Sequence, residues 1–102
     1  MTTFLHVTLE VKASGLAKFI ETMGEATSLL EGWGWKLHGA FVQRTGKLNT
    51  VIDVWELESF TAFDMVLKKF VAHPRFPAIK AVLDETVNSE TIVFADKAPY
   101  MR

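Results

Sequence analysis

Two hydrophobic periodicities alternate along this chain, and their order constrains the fold more than any other feature of the sequence. Apolar residues recur at every second position over residues 4–11, 35–44, 48–57 and 90–94, which is the pattern of β-strands. They recur every third or fourth position in stretches beginning near Leu16, Phe60 and Phe76, which is the pattern of amphipathic helices. The predicted order is therefore β-α-β-β-α-α-β. It indicates an α+β subunit on the ferredoxin-like split βαβ plan, with a four-stranded antiparallel sheet and helices on one face.

Local signals predict where the helices begin and end. Ser14 is a candidate N-cap and Gly32 a candidate C-cap of the first helix. Ser59 is a candidate N-cap of the second, whose predicted inward stripe is Phe60, Phe63, Val66, Leu67, Phe70 and Val71. Pro74 should end that helix, because the residue before a proline avoids the helical region. Pro77 suits the first turn of the third helix.

The two middle strands are apolar on both faces. The turn Thr45-Gly46-Lys47 predicts that they form a tight antiparallel hairpin. Strict alternation predicts two faces for each strand. In the second strand one face would carry Trp35, Leu37, Gly39 and Phe41, and the other His38, Ala40 and Val42. In the third strand one face would carry Val51, Asp53 and Trp55, and the other Thr50, Ile52 and Val54. A sheet that is apolar on both faces requires cover on both. Helices supply one layer, and a second copy of the chain, packed about 10 Å away, would supply the other. A homodimer is therefore predicted.

Composition narrows the class of protein. The 102 residues predict a single domain spanning 1–102, and 49% of them are hydrophobic, which is rich for a chain that buries only about two-thirds of its surface alone. The formal net charge is −1 and no run of Lys or Arg occurs, which argues against a nucleic-acid partner. The chain has no cysteine, so disulfides and thiolate chemistry are excluded.

No signal peptide and no apolar run of about 20 residues is present, so we expect a soluble cytoplasmic protein with no membrane partner.

Two histidines and one aspartate are the candidate catalytic residues. His6 and His38 lie opposite the main aliphatic rows of their strands, where both could face one cavity. Asp53 could then orient one imidazole as a general base. The alternative is that the histidines are half-buried and bonded to backbone, or lie at the dimer interface. These side chains are suitable metal ligands, but they form no local ligand motif, so no metal is expected. No phosphate-binding loop or other cofactor motif occurs either, so we expect no cofactor.

Three tryptophans and one arginine are candidate substrate-binding residues. Trp33, Trp35 and Trp55 could line a pocket for a hydrophobic or aromatic small molecule. Arg44, beside the predicted turn, could clamp a carboxylate. The alternatives are core or interface packing for Trp55 and a solvated turn residue for Arg44.

The hairpin and the segment after the second helix resemble the NIPSNAP domain. The matching positions are Gly39, Gly46, Leu48, Asn49 and Trp55, followed by His73-Pro74-Arg75-Phe76. The resemblance is strongest over residues 39–83, and the family often has His where this chain has Asp53. It implies a dimeric α+β barrel, a fold group that includes cofactor-less monooxygenases, decarboxylases, cyclases and dehydratases. It also implies a homodimer with a cavity between sheet and helices or inside the barrel.

Two functional hypotheses follow from the residues and the resemblance. In the first, the dimer binds or converts a small hydrophobic or aromatic metabolite, by cofactor-independent acid/base or oxygenation chemistry. In the second, it is a non-catalytic structural or interaction module.

Overall fold

The computed structural model describes residues 2–101 and has the predicted α+β architecture. Its elements are β1 (Thr3–Val11), a 3-10 turn (Ala13–Gly15), α1 (Leu16–Gly32), β2 (Lys36–Val42), β3 (Thr50–Leu57), α2 (Phe60–Ala72), α3 (Phe76–Thr86) and β4 (Val87–Ala95). The strands form one antiparallel sheet in the order β2-β3-β1-β4. Three helices cover one face, as predicted.

The core lies between the sheet and these helices. Odd-numbered residues of β1, from Thr3 to Val11, are all buried, and they pair with the buried odd-numbered residues of β3. From the helices, Phe19, Leu30 and Ile79 pack onto this face with at most 6% exposure. Because strand side chains alternate, the even-numbered residues of β1 and β3 point to the other face. Helices leave that second face uncovered, and we call it the open face.

The first helix begins and ends differently from the prediction. Ser14 lies in the 3-10 turn, and α1 begins after Gly15 with no side-chain cap. At the other end, Gly32 was predicted to cap the helix but is instead its last residue. The glycine with a positive φ, of 108°, is Gly34. The amide of Gly34 donates to the carbonyl of Glu31, and that of Trp35 donates to the carbonyl of Leu30. This is a Schellman turn, and it delivers the Trp35 side chain to the core.

A β-bulge in β2 overturns the predicted faces of that strand. Leu37 pairs with Trp55, but Gly39 pairs with Val54, so His38 is an extra residue. Leu37 therefore faces the helices together with Ala40 and Val42, whereas Gly39 and Phe41 face the open side. Strict alternation could not predict this exchange, because a bulge is a property of the pairing rather than of one strand.

Smaller differences concern the hairpin loop, α2 and β4. The loop spans residues 43–49 instead of a tight turn, with Gly46 and Asn49 at positive φ. Ser59 caps α2 as predicted, its Oγ accepting from the amide of Ala62 at 3.2 Å. Three members of the predicted inward stripe are instead exposed, Phe60 by 66%, Val71 by 55% and Leu67 by 37%. Strand β4 begins at Val87, three residues before the predicted start.

Within residues 2–101 no helix has both the length and the apolar character needed to cross a bilayer.

Candidate functional site

A cavity of about 250 Å³ lies between the sheet and the helices. The sheet side is formed mainly by Leu5, Val7, Leu9, Asp53 and Trp55, and the helix side by residues of α1, α2 and α3. We call it the sheet–helix cavity. A larger groove of about 370 Å³, between Ser59, Phe60 and Phe94, is more open to the surface. The sheet–helix cavity combines apolar walls with a buried ionisable group, Asp53.

Aromatic rings form much of the cavity wall. The Trp35 ring stacks on Phe63 with centroids 5.6 Å apart and an interplanar angle of 15°. It meets Trp55 edge-on at 5.5 Å. Trp35 and Trp55 thus both line this cavity, and their role in binding a substrate stays a prediction. The Nε1–H of Trp35 is buried and has no acceptor among residues 2–101, which is uncommon for a buried donor.

Asp53 lies at the floor of the cavity. It is the central residue of a row across three strands, with Val7 on one side and Ala40 on the other, and it is only 4% exposed. No described residue donates a hydrogen bond to its carboxyl group. Burial, reinforced by the negative charge of Glu90, raises the pKa of Asp53 to about 6. A carboxyl group in this state can exchange a proton near neutral pH.

Glu90 supplies the second carboxyl group of the cavity. It pairs with Leu9 from the edge strand β4, and although the residue as a whole is exposed, burial raises the pKa of its carboxyl. Leu67 and Ile92, exposed by 37% and 44%, also line the cavity. These three residues mark the mouth, which therefore opens along β4 beside α2.

The open face carries both candidate histidines. His6 pairs with Val54 and with Val93, and it is exposed. His38, at the bulge, donates from Nε2 to Oε1 of Glu56 at 2.7 Å and lies edge-on to Phe4 at 5.7 Å. The structure thus brings the histidines to one face of the sheet, as the sequence predicted.

The predicted partnership of Asp53 with a histidine is wrong. Asp53 faces the sheet–helix cavity, whereas His6 and His38 lie on the opposite side of the same sheet. Neighbouring positions of a strand point to opposite faces, and the residue that shares the histidine face is Val54. The carboxylate beside His38 is Glu56.

Trp33 and Arg44 lie outside the cavity lining. Trp33 follows the end of α1 and contacts Phe70 and His73 edge-on, with centroids 6.4 and 5.9 Å apart. Arg44 lies in the exposed loop of residues 43–49. Within residues 2–101 no group of three or more metal-ligating side chains is found.

Sequence reasoning missed Glu90 as a site residue. The signal was present in the alternation of the last strand, since Glu90 shares a face with Ile92 and Phe94. A charged residue in the apolar row of a strand is unusual unless something uses it. Phe63 was predicted as part of the inward stripe of α2, and it stacks on Trp35 in the cavity wall.

Comparison with solved structures shows close agreement of fold with several bacterial proteins. A NIPSNAP domain protein of Burkholderia xenovorans superposes with a TM-score of 0.82 at 18% identity, over 100% of this chain and 99% of that one. A NIPSNAP family protein of Agrobacterium tumefaciens superposes with a TM-score of 0.87 at 17% identity, over 98% and 89%. SnoaB of Streptomyces nogalater, a cofactor-independent oxygenase, superposes with a TM-score of 0.72 at 14% identity, over 98% of both chains. At these identities the likeness concerns the fold alone.

The sequence comparison identifies the family. A search of curated proteins found no significant match. The NIPSNAP family, by contrast, matches residues 6–99, which is nearly the whole chain and includes the hairpin, α2 and α3. This chain therefore belongs to the NIPSNAP family.

Proposed function

We propose that this protein binds a small hydrophobic or aromatic compound in the sheet–helix cavity and exchanges a proton with it through Asp53. One observation carries the proposal. Asp53 is a nearly buried carboxyl group to which no residue in the range 2–101 donates a hydrogen bond, and it lies in an aromatic-walled cavity. Protein interiors rarely retain such a group without a use for it, because desolvating a carboxylate is costly.

The chemistry that suits this arrangement is cofactor-independent proton transfer. A base works best when its pKa lies near the working pH, and burial gives Asp53 a pKa of about 6. Removal of a proton by Asp53 leaves a neutral substrate as an anion. The fold shared with SnoaB, a cofactor-independent oxygenase, supports extending the proposal to reaction of such an anion with O₂.

The working unit in this proposal is a homodimer. The open face exposes 60% of Phe41 and 51% of Val93, and the half-buried Ile52 and Val54 lie between them. A second copy packed on this face would bury these side chains and complete a barrel of two sheets. His6 and His38 would then lie in the interior between the sheets. We keep them as proposed acid/base residues for that compartment, with Glu56 as the partner of His38.

The test of the first proposal is a pair of carboxyl-to-amide variants on opposite faces. Native mass spectrometry of freshly purified wild-type protein, followed by denaturation, identifies any small molecule that the protein carries. We expect an aromatic or hydrophobic compound, retained by Glu56→Gln and lost or weakened in Asp53→Asn. Equal retention by both variants would argue against the sheet–helix cavity as the site.

The second candidate is a non-catalytic interaction module. Exposed apolar residues on the open face and on α2, such as Met65 and Val71, favour it, since exposed apolar surface often marks a contact site. An empty dimer that binds no compound in a fragment screen by NMR would support this second function.

A further inference from the structure

The sheet–helix cavity has a one-sided charge distribution. Its described lining contains two ionisable side chains, Asp53 at the floor and Glu90 at the mouth, and both are acidic. The rest of the described lining is apolar apart from the indole N–H groups of Trp35 and Trp55. No lysine, arginine or histidine among the described lining residues neutralises either carboxyl group. The cavity that the proposed function uses as its ligand site is therefore negative throughout.

Such a cavity discriminates between ligands by charge. A carboxylate removed from water and left without a partner is destabilised, and an opposite charge placed beside it recovers much of the lost solvation. The interaction between charges strengthens as the local dielectric constant falls. An anionic ligand would meet repulsion from both carboxylates, and a neutral ligand would leave Asp53 unpaired.

The aromatic wall favours the same kind of ligand. Trp35, Trp55 and Phe63 line the cavity together with Asp53. Indole rings attract cations through their electron-rich faces more strongly than other aromatic side chains do. Carboxylates combined with aromatic walls are the chemistry that recognises organic ammonium groups.

We infer that the ligand of the sheet–helix cavity is a small organic amine in its cationic form, carried on an apolar, ring-bearing frame. This inference rests on the proposed function, because it takes the cavity as the binding site. The ammonium group donates to the carboxylate of Asp53. A cavity of about 250 Å³ is smaller than the roughly 300–1,000 Å³ of drug-sized sites, which limits the frame to one ring or a fused pair with a short chain. Glu90 at the mouth attracts the cation on its way in.

Three isosteric probes test the inference: tyramine, tyrosol and 4-hydroxyphenylacetate. They share a phenol and differ in carrying a cation, a neutral hydroxyl or an anion at the end of a short chain. Isothermal titration calorimetry of the full-length wild-type protein at pH 7.5 should give about tenfold or greater preference for tyramine over tyrosol. No binding is expected for the acid.

Two variants test whether Asp53 determines the preference for tyramine over tyrosol. In Asp53→Asn the affinity for tyramine should fall to the level of tyrosol, whereas tyrosol binding should be unchanged. In Asp64→Asn, the matched change at an exposed ion pair on α2 outside the cavity lining, both affinities should stay at wild-type values. Circular dichroism and thermal melting of each variant confirm that the fold is intact.

The outcomes separate this inference from the function on which it rests. If tyrosol or the acid binds as tightly as tyramine, and Asp53→Asn alters that binding, the cavity is the ligand site but the preference for a cation is wrong. If tyramine binds but Asp53→Asn has no effect, the inference is overturned as well. If none of the three probes binds, both the inference and the cavity as a binding site for single-ring compounds are overturned.

Discussion

Asp53 and His6 lie on opposite faces of the same sheet, although the residue that pairs with His6 on β3 is Val54, the immediate neighbour of Asp53. One strand therefore serves two separate environments. Asp53 belongs to the sheet–helix cavity with Trp35 and Trp55, whereas His6 belongs to the open face with Val54 and Val93. Variants at positions 53 and 54 can thus probe the two environments independently.

We predict that Asp53→Asn stabilises the protein at alkaline pH. The pKa of about 6 in the folded state lies above the ordinary 3.8, so the folded protein holds this proton more tightly than the unfolded chain does. The resulting stabilisation is fully present below pH 3.8 and is lost as the pH rises through about 6. Wild-type protein at pH 8 should therefore carry a penalty of up to about 3 kcal/mol that the amide lacks.

Urea denaturation of wild type and Asp53→Asn at pH 4 and pH 8 measures this penalty. The stability of the variant relative to wild type should rise by about 1–3 kcal/mol between the two pH values. Asp64→Asn, in an exposed ion pair with Lys68 on α2, is the control and should show no comparable rise. An unchanged difference for Asp53→Asn would mean that its carboxyl group titrates normally.

Gly15→Ala is expected to destabilise the protein. A Cβ at Gly15 would lie 2.8 Å from the Cγ2 of Thr86 and 3.5 Å from its Cα, and Thr86 is only 2% exposed. The start of α1 must therefore move away from the end of α3, at a cost of about 1–3 kcal/mol. Thermal melting measures it, and a melting temperature equal to that of wild type would show that the contact is loose.

Gly24→Ala is the matched substitution, and we expect it to increase the stability of the protein. Gly24 lies in the exposed middle of α1, and a Cβ there would meet no atom within 4 Å. Alanine restricts the unfolded chain and favours the helix, so we expect a gain of about 0.5–1 kcal/mol in the free energy of unfolding. Urea denaturation gives the value, and a loss of stability would indicate that this surface packs against something else.

Val93→Lys tests the proposed homodimer. Val93 lies on the open face with 51% exposure, and Val71, on α2, has nearly the same exposure at 55%. A lysine at 93 would place a charge in the apolar contact between two sheets, whereas a lysine at 71 would stay in water. Sedimentation equilibrium should show a dimer for wild type and Val71→Lys and a monomer for Val93→Lys. A dimer in all three proteins would exclude the open face as the interface.

The sequence predicted the architecture because the two periodicities are strong, and it grouped Asp53 with Val51 and Trp55 because β3 alternates without interruption. It did not predict that this set of side chains faces the helices and not the histidines. It could not reveal the bulge at His38, which exists only in the pairing with β3. For the same reason the sequence could not pair His38 with Glu56. Glu90 was missed because its closeness to Asp53 depends on the order β3-β1-β4 in the sheet, which alternation within one strand does not reveal.

The pairing of β3 with β1 has a consequence beyond the stability of the sheet. A slip of β3 by one residue would turn Val54 toward the helices and expose Asp53 among the even-numbered side chains of β1. Which β3 side chains line the sheet–helix cavity and which lie on the open face thus depends on strand register as well as on residue type. An insertion or deletion of one residue in the loop of residues 43–49 that shifted β3 by one position would therefore exchange the β3 side chains of the sheet–helix cavity with those of the open face. No residue that lines either surface would have to be mutated.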